Sequence, residues 1–256
     1  MVDTLDDEWW IDSKPSSEEV EEEEQPPDLK ELKRGSQSLE EESKPKKKRK
    51  RPKITEKLAK REDKPATLED LHTWLEKSGK GTLSTVEQDD MHLKGSSLLE
   101  GNKTKLKISE YLSSVILNWK SVVKEAGSKK SCKLIIVTSS GKRAVELNRD
   151  SVSFRGKCST AKLFAKHLKL KDQTKLLASK NVDFAVGTPN RIGALISQGA
   201  LDTTETRFLI LDWNWRDVKF RRMVDMPELE KDLFSLLKEH FIGALKSDEK
   251  MKIGLF

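Results

Sequence analysis

Two hydrophobic rhythms divide the second half of the chain. In "KLKISEYLSSVILNWKSVVKE", Ile108, Tyr111, Leu112, Val115, Ile116, Trp119, Val122 and Val123 recur at three- and four-residue spacing. That period predicts one long amphipathic helix with its stripe in the core. From Ser131 the apolar residues gather instead into short bursts, "CKLIIVTSS", "AKLFAKH", "VDFAVG", "TRFLILDW" and "KMKIGLF", which read as five strands. The helix-like segments between them are "GKRAVELNRD", "KDQTKLLASK", a helix starting in "TPNRI", and "MPELEKDLFSLLKEHF". Pro227 stands near the first turn of the last, where its missing N–H costs nothing. Strands alternating with helices of ten or more residues predict βαβ units and a doubly wound parallel α/β sheet covered on both faces. Upstream, "TLEDLHTWLEK" places Thr67 three residues before Asp70, with Leu68, Leu71 and Leu75 on one face, so a capped helix should begin there. Residues 76–104, rich in Gly, Ser and Lys, read as loop. The expected organisation is an arm over 1–65, a helix-plus-loop lead-in over 66–104 and one α/β domain over 105–256.

Charge explains why the first 65 residues lack either rhythm. Residues 1–42 hold 16 Asp/Glu against 4 Lys/Arg, a net of −12, and residues 43–64 reverse this to +9. The rest carries +9 of a formal total of +6, a basic folded part behind a two-signed arm. Like-charge blocks with so little apolar surface cannot offset chain entropy, so the arm is expected to be disordered. Two short features interrupt it. "LDDEWWID" sets Trp9 and Trp10 in an acidic background, a candidate docking motif for a partner. In "PKKKRKRP" the uninterrupted Lys46, Lys47, Lys48, Arg49, Lys50 and Arg51 form the dense cation run of a nuclear import signal, with an import receptor as partner. The acidic N-terminus has no secretory apolar core, and no window approaches the ~18 apolar residues of a membrane helix. Cys132 and Cys158, without CxxC spacing, fit neither a zinc site nor a disulfide framework. The four histidines are scattered and form no metal or nucleophile constellation. A soluble, nuclear, intracellular protein without metal, cofactor or small-molecule substrate is the expectation.

Ligands of doubly wound sheets bind at the carboxyl ends of the strands. Three turns fall there: "TSSGKR" (138–143), "GTPNR" (187–191) and "DWNWRD" (212–217). In the first two, Ser139, Ser140 and Thr188 precede helices whose free N–H groups and dipole favour an anion, and Lys142, Arg143 and Arg191 add charge. Each turn alone reads as an ordinary helix cap; two in series on a basic domain point to a nucleic-acid backbone. In the third, an apolar run ends on Asp212, as in strands that deliver a carboxylate to Mg²⁺, and Trp213 and Trp215 follow.

These turns carry a resemblance. "VGTPNRI" is similar to the Thr-Pro-Gly-Arg motif of DEAD-box RNA helicases, with Asn190 in place of its Gly. "LIIVTSSGKRAVEL" resembles their Pro-Thr-Arg-Glu-Leu strand, turn and helix, and "FLILDWNWRDVKFRRMVDM" their Asp-Glu-Ala-Asp strand. The likeness covers residues 105–256, about one RecA-like domain. It implies that Thr188 and Arg191, with Asn190, Ser139, Ser140, Lys142 and Arg143 around them, face an RNA backbone. The catalytic half departs from the pattern. No G-x-x-x-x-G-K-[ST] phosphate loop occurs, and "GSSLLEGNKT" is better read as a chance likeness to one. Trp213 and Trp215 stand where the helicases place their Glu and second Asp, and an indole can neither hold Mg²⁺ through water nor accept a proton. The chain also ends before any Ser-Ala-Thr motif and offers no second RecA-like domain, so hydrolysis is not expected.

Over its whole length, from the "DDEWW" head to the terminal "GLF", the sequence resembles the Cms ribosomal small-subunit homologue family of degenerate helicase-like proteins. That resemblance implies a nucleolar, non-catalytic RNA-binding scaffold of pre-ribosomal particles, with RNA and pre-ribosomal proteins as partners. The basic folded part is independently compatible with RNA, since each neutralised phosphate releases counterions. The competing expectation is a protein-interaction adaptor without direct RNA contact, docking through Trp213 and Trp215 because Trp is enriched at binding hot spots. A third is a nucleotide-regulated NTPase.

Overall fold

In a computed structural model the described residues are 64–125, 127–247 and 250–256. Trp9, Trp10 and the basic run 46–51 lie outside them. The first helix, α1 (Leu68–Gly79), begins where Thr67 and Asp70 form the expected reciprocal cap: Asp70 N–H donates to Thr67 Oγ1, and Thr67 N–H donates to the Asp70 carboxylate at 2.8 Å. Leu71, Trp74 and Leu75 are buried. The stretch expected as loop holds a second capped helix, α2 (Thr85–Asp90), on a Ser84–Glu87 capping box, then a 3-10 turn over Gly95–Ser97. Its Ser/Gly/Lys content hid a Ser-x-x-Glu signature.

The single long helix expected over 105–125 is two. The first is α3 (Ile108–Val115) and the second α4 (Trp119–Lys124), separated at Ile116, Leu117 and Asn118. The apolar period continues through the break, with Ile116, Trp119 and Val122 buried, while Leu117 is thrown out to 88% exposure. Ile116 leaves the helical region at φ −121°, and the Asn118 carbonyl accepts from Ser121 and Val122 to restart the chain. Two β-branched residues, Val115 and Ile116, with Asn118, which competes for backbone bonds, two residues on, make a weak point that periodicity does not register.

The βα alternation then follows expectation: β1 (Cys132–Val137), α5 (Gly141–Asp150), α6 (Val152–Arg155), β2 (Thr160–Leu163), α7 (Leu170–Ser179), β3 (Val182–Gly187), α8 (Pro189–Ser197), β4 (Phe208–Leu211), α9 (Pro227–Leu236), α10 (Ile242–Ser247) and β5 (Lys252–Leu255). One π turn over Leu237–Phe241 joins α9 to α10, so the last predicted helix runs further than its sequence pattern. All pairings are parallel and the strand order is β2-β3-β1-β4-β5. Alternate residues serve opposite faces. Leu134 and Ile136 join Phe184, Ile210, Tyr111 and Trp119 in one core, whereas Ile135 and Val137 join Leu209, Leu211, Leu71, Trp74 and Leu233 in the other. The sheet is therefore covered on both sides, as a fully apolar parallel strand requires.

Candidate functional site: the carboxyl edge of the sheet

Because β3, β1 and β4 are neighbours, their carboxyl ends lie side by side. Val137 is in register with Gly187 and with Leu211. Just beyond, Thr138 N–H donates to Gly187 O at 2.9 Å, and Asp212 N–H to Val137 O at 2.9 Å. The three turns singled out in the sequence are thus brought to one edge. Gly187 is required there: a Cβ would meet Leu163 O at 2.2 Å, so only glycine lets β2 end this close.

Asp212 is the centre of the site, and it is already occupied by the protein itself. Its side chain is 1% exposed. Oδ2 accepts from Thr138 Oγ1 at 2.7 Å and from Arg143 Nε at 3.0 Å; Oδ1 accepts from Arg143 Nη2 at 3.2 Å. The fork of a guanidinium matches a carboxylate in this bidentate way. Arg143 reaches it from the first turn of α5, which Ser140 caps by accepting from Arg143 N–H at 3.3 Å. Glu146 Oε2 lies 3.6 Å from the remaining nitrogen of the guanidinium, Arg143 Nη1. Burial pushes the Asp212 carboxyl above its ordinary value, and the Arg143 bonds and charge pull it back. Trp215 lies under Arg143, its ring centroid 5.2 Å from the guanidinium carbon, within cation–π range.

Trp213 takes another course. It is 1% exposed and meets Trp74 of α1 edge-on at 5.7 Å. The expectation that Trp213 presents a docking surface is corrected by this burial: the indole is core, and α1 covers it. Trp215, half-buried, lines a cleft of about 220 Å³ with Lys64, Asn102, Lys105, Arg143, Asp212 and Phe256 among its walls.

The "GSSLLEGNKT" stretch also finds a place. Leu98 pairs in parallel with Ile253 of β5, Leu99 N–H donates to Ile253 O at 2.7 Å, and the chain then loops into α3. Strand edge, loop and helix follow one another as in a phosphate loop. The loop is closed on itself, however. Asn102 Nδ2 donates to Leu106 O at 2.9 Å and Asn102 Oδ1 accepts from Leu106 N–H at 2.8 Å, while Lys103 sits on the surface with Glu100 at 3.1 Å.

The remaining candidates stand at the β1 and β3 ends. Thr188 is half-buried at the N-cap of α8, Asn190 is exposed, and Arg191 Nη1 donates to Leu168 O at 2.9 Å and to Gln173 Oε1 at 2.8 Å. Ser139 is half-buried and Lys142 exposed. Thr138 opens the first of the three turns, but its bond to Asp212, and the parts played by Gln173 and Trp74, were not foreseen. Thr138 was legible as a hydroxyl at a strand end; Gln173 and Trp74 gave no local signal.

An all-parallel doubly wound sheet carrying helix-opening turns and a strand-end carboxylate at its carboxyl edge defines a single RecA-like domain. The chain belongs to the CMS1 family, whose model, described as U3-containing 90S pre-ribosomal complex subunit, matches residues 12–256. It is 41% identical over 209 residues to the human protein CMSS1, covering 82% of this chain and 75% of that one. It is 35% identical over 179 residues to the protein CMS1 of Chaetomium thermophilum, covering 68% and 71%. Among solved structures it is similar to a DEAD box protein from Methanococcus jannaschii, at 23% identity and TM-score 0.41, over 56% of this chain and 36% of that one. Family membership supports a role in ribosome biogenesis with pre-ribosomal proteins as partners.

Proposed function

We propose that this chain is a non-catalytic, RNA-contacting scaffold of nucleolar small-subunit ribosome assembly, built on a helicase-like domain whose metal carboxylate has become a structural ion pair. One observation carries this reading: both oxygens of Asp212 accept from Arg143. A guanidinium held in this fork sits where a divalent cation would have to bind, and the positions after Asp212 offer indoles in place of carboxylates. What the edge retains is a set of helix starts with Ser139, Ser140, Lys142, Thr188, Asn190 and Arg191, suited to phosphate oxygens. Replacing Thr188 and Arg191 together by Ala should weaken binding of single-stranded RNA and lower the slope of log affinity against log salt by about 1. Equal binding by variant and wild type across several salt concentrations refutes RNA contact at this edge.

A second reading, an adaptor that joins the particle without touching RNA, is favoured by Arg143 and Arg191 both donating to groups within the domain. It predicts association that survives RNase and is lost in Trp215→Ala with folding intact.

A further inference from the structure

The turn that follows the site is built to present two apolar side chains to solvent. Val218 is 95% exposed and Phe220 48%. Phe220 has φ +59°, a left-handed conformation that bulky residues seldom adopt and that persists only when its surroundings impose it. Asp217 imposes it. Its Oδ1 accepts from the N–H groups of Lys219 and Arg221, each at 2.8 Å, and its Oδ2 accepts from Arg221 Nε at 3.0 Å and Nη2 at 2.8 Å. The backbone closes the same turn, with Asp217 N–H donating to Arg221 O and Phe220 N–H to Asp217 O, both at 2.9 Å. Both ends are anchored, by buried Trp213 on one side and buried Met223 and Val224 on the other.

We infer that the Val218–Phe220 turn is a docking anchor for a protein subunit of the pre-ribosomal complex, one offering an apolar pocket rimmed by carboxylates. This rests on the family's place in that complex, not on RNA contact at the sheet edge. The charge of the turn sets the rim: residues 216–225 keep a net of +2 after Arg221 and Arg222 pair with Asp217 and Asp225, and Lys219 is exposed between the two apolar side chains. Two features favour protein over RNA. Arg221 is forked onto Asp217, and Arg222 onto Asp225 at 2.9 and 3.1 Å, so the geometry that best clamps phosphate is spent within the turn. The more exposed anchor, Val218, has no ring on which a base could stack. A turn held rigid before binding loses little entropy when it docks, and this favours a small apolar contact.

The test uses the full chain and isolated pre-ribosomal particles. Phe220→Gly relieves the left-handed strain and Val218→Ser alters an exposed side chain, so the double variant should melt no lower than wild type. Its binding to particles should fall about tenfold or more, as for a hot spot, with and without RNase. A photo-crosslinking amino acid at position 220 should attach to one protein, at an apolar peptide flanked by Asp or Glu. Undiminished binding, or a crosslink to RNA, overturns the inference. Should the double variant unfold, Phe220→Gly alone and the crosslink decide in the same terms. Loss of RNase-sensitive binding in the Thr188/Arg191 variant with this contact intact would leave the anchor standing, and the reverse would remove it alone.

Discussion

Asp212 and Arg143 show how a strand-end carboxylate can be satisfied from within the domain. A strand-end aspartate is ordinarily useful because it is unsatisfied by protein; here a guanidinium and the Thr138 hydroxyl satisfy it. Removing one partner of such a pair costs more than the pair is worth, because a carboxylate is left buried alone. Arg143→Ala should therefore destabilise the domain by about 3–5 kcal/mol, measured by urea unfolding. Adding Asp212→Asn to Arg143→Ala should recover a good part of that loss; no recovery would mean the guanidinium stabilises through Trp215 or Glu146 instead. Trp213→Ala, which empties a fully buried site against Trp74, should cost about 3–5 kcal/mol. A small effect there would return Trp213 to the surface role that its burial denies.

At the scale of elements, the local rules were readable where one segment contains all that they need. Thr67 and Asp70 formed their cap, Pro227 opened its helix, and the apolar bursts became strands at the expected places. The α3–α4 break was not readable, because the apolar period that predicts burial runs unbroken through a backbone that is not continuous. The 217–221 turn was not readable either: nothing in "RDVKFRR" announces that Phe220 takes a positive φ. Its organiser is titratable. Burial of Asp217 raises its carboxyl, but the bonds from Arg221 and Lys219 outweigh this and hold it below the usual value near 3.9. A depressed carboxyl contributes its stabilisation above the unfolded value and loses it as pH falls through the lower folded one. The carboxyl resonance of Asp217 should accordingly titrate below that of an unstructured Asp. The amide resonances of Lys219 and Arg221, which it accepts from, should move with it. A normal titration, or amides that ignore it, would contradict the assigned turn.

For the molecule as a whole, the two-signed arm and the basic domain divide the labour that the proposed function requires. The six-residue cation run at 46–51 is proposed as the import signal, so residues 40–56 fused to a passive reporter should carry it into the nucleus; a cytoplasmic reporter would refute this. In the proposed reading the domain would offer two separate contacts: helix starts for phosphate at the sheet edge, and an apolar turn for protein beside it. Two contacts of moderate strength on one domain would hold a subunit more firmly than either alone.

The amino-acid sequence by itself determined the alternation of strands and helices, the caps, the position of the edge turns and the indoles that follow Asp212. These depend on neighbours within a few residues, or on residue identity alone. The tertiary structure decided what Asp212, Trp213 and the "GSSLLEGNKT" loop do. Arg143 lies 69 residues from Asp212 and Trp74 lies on a helix far upstream, and only the placing of β1 beside β4, with α1 packed over their end, brings these side chains together. Pairings of that kind follow from sheet order, which is a property of the packed whole and leaves no mark on any one segment.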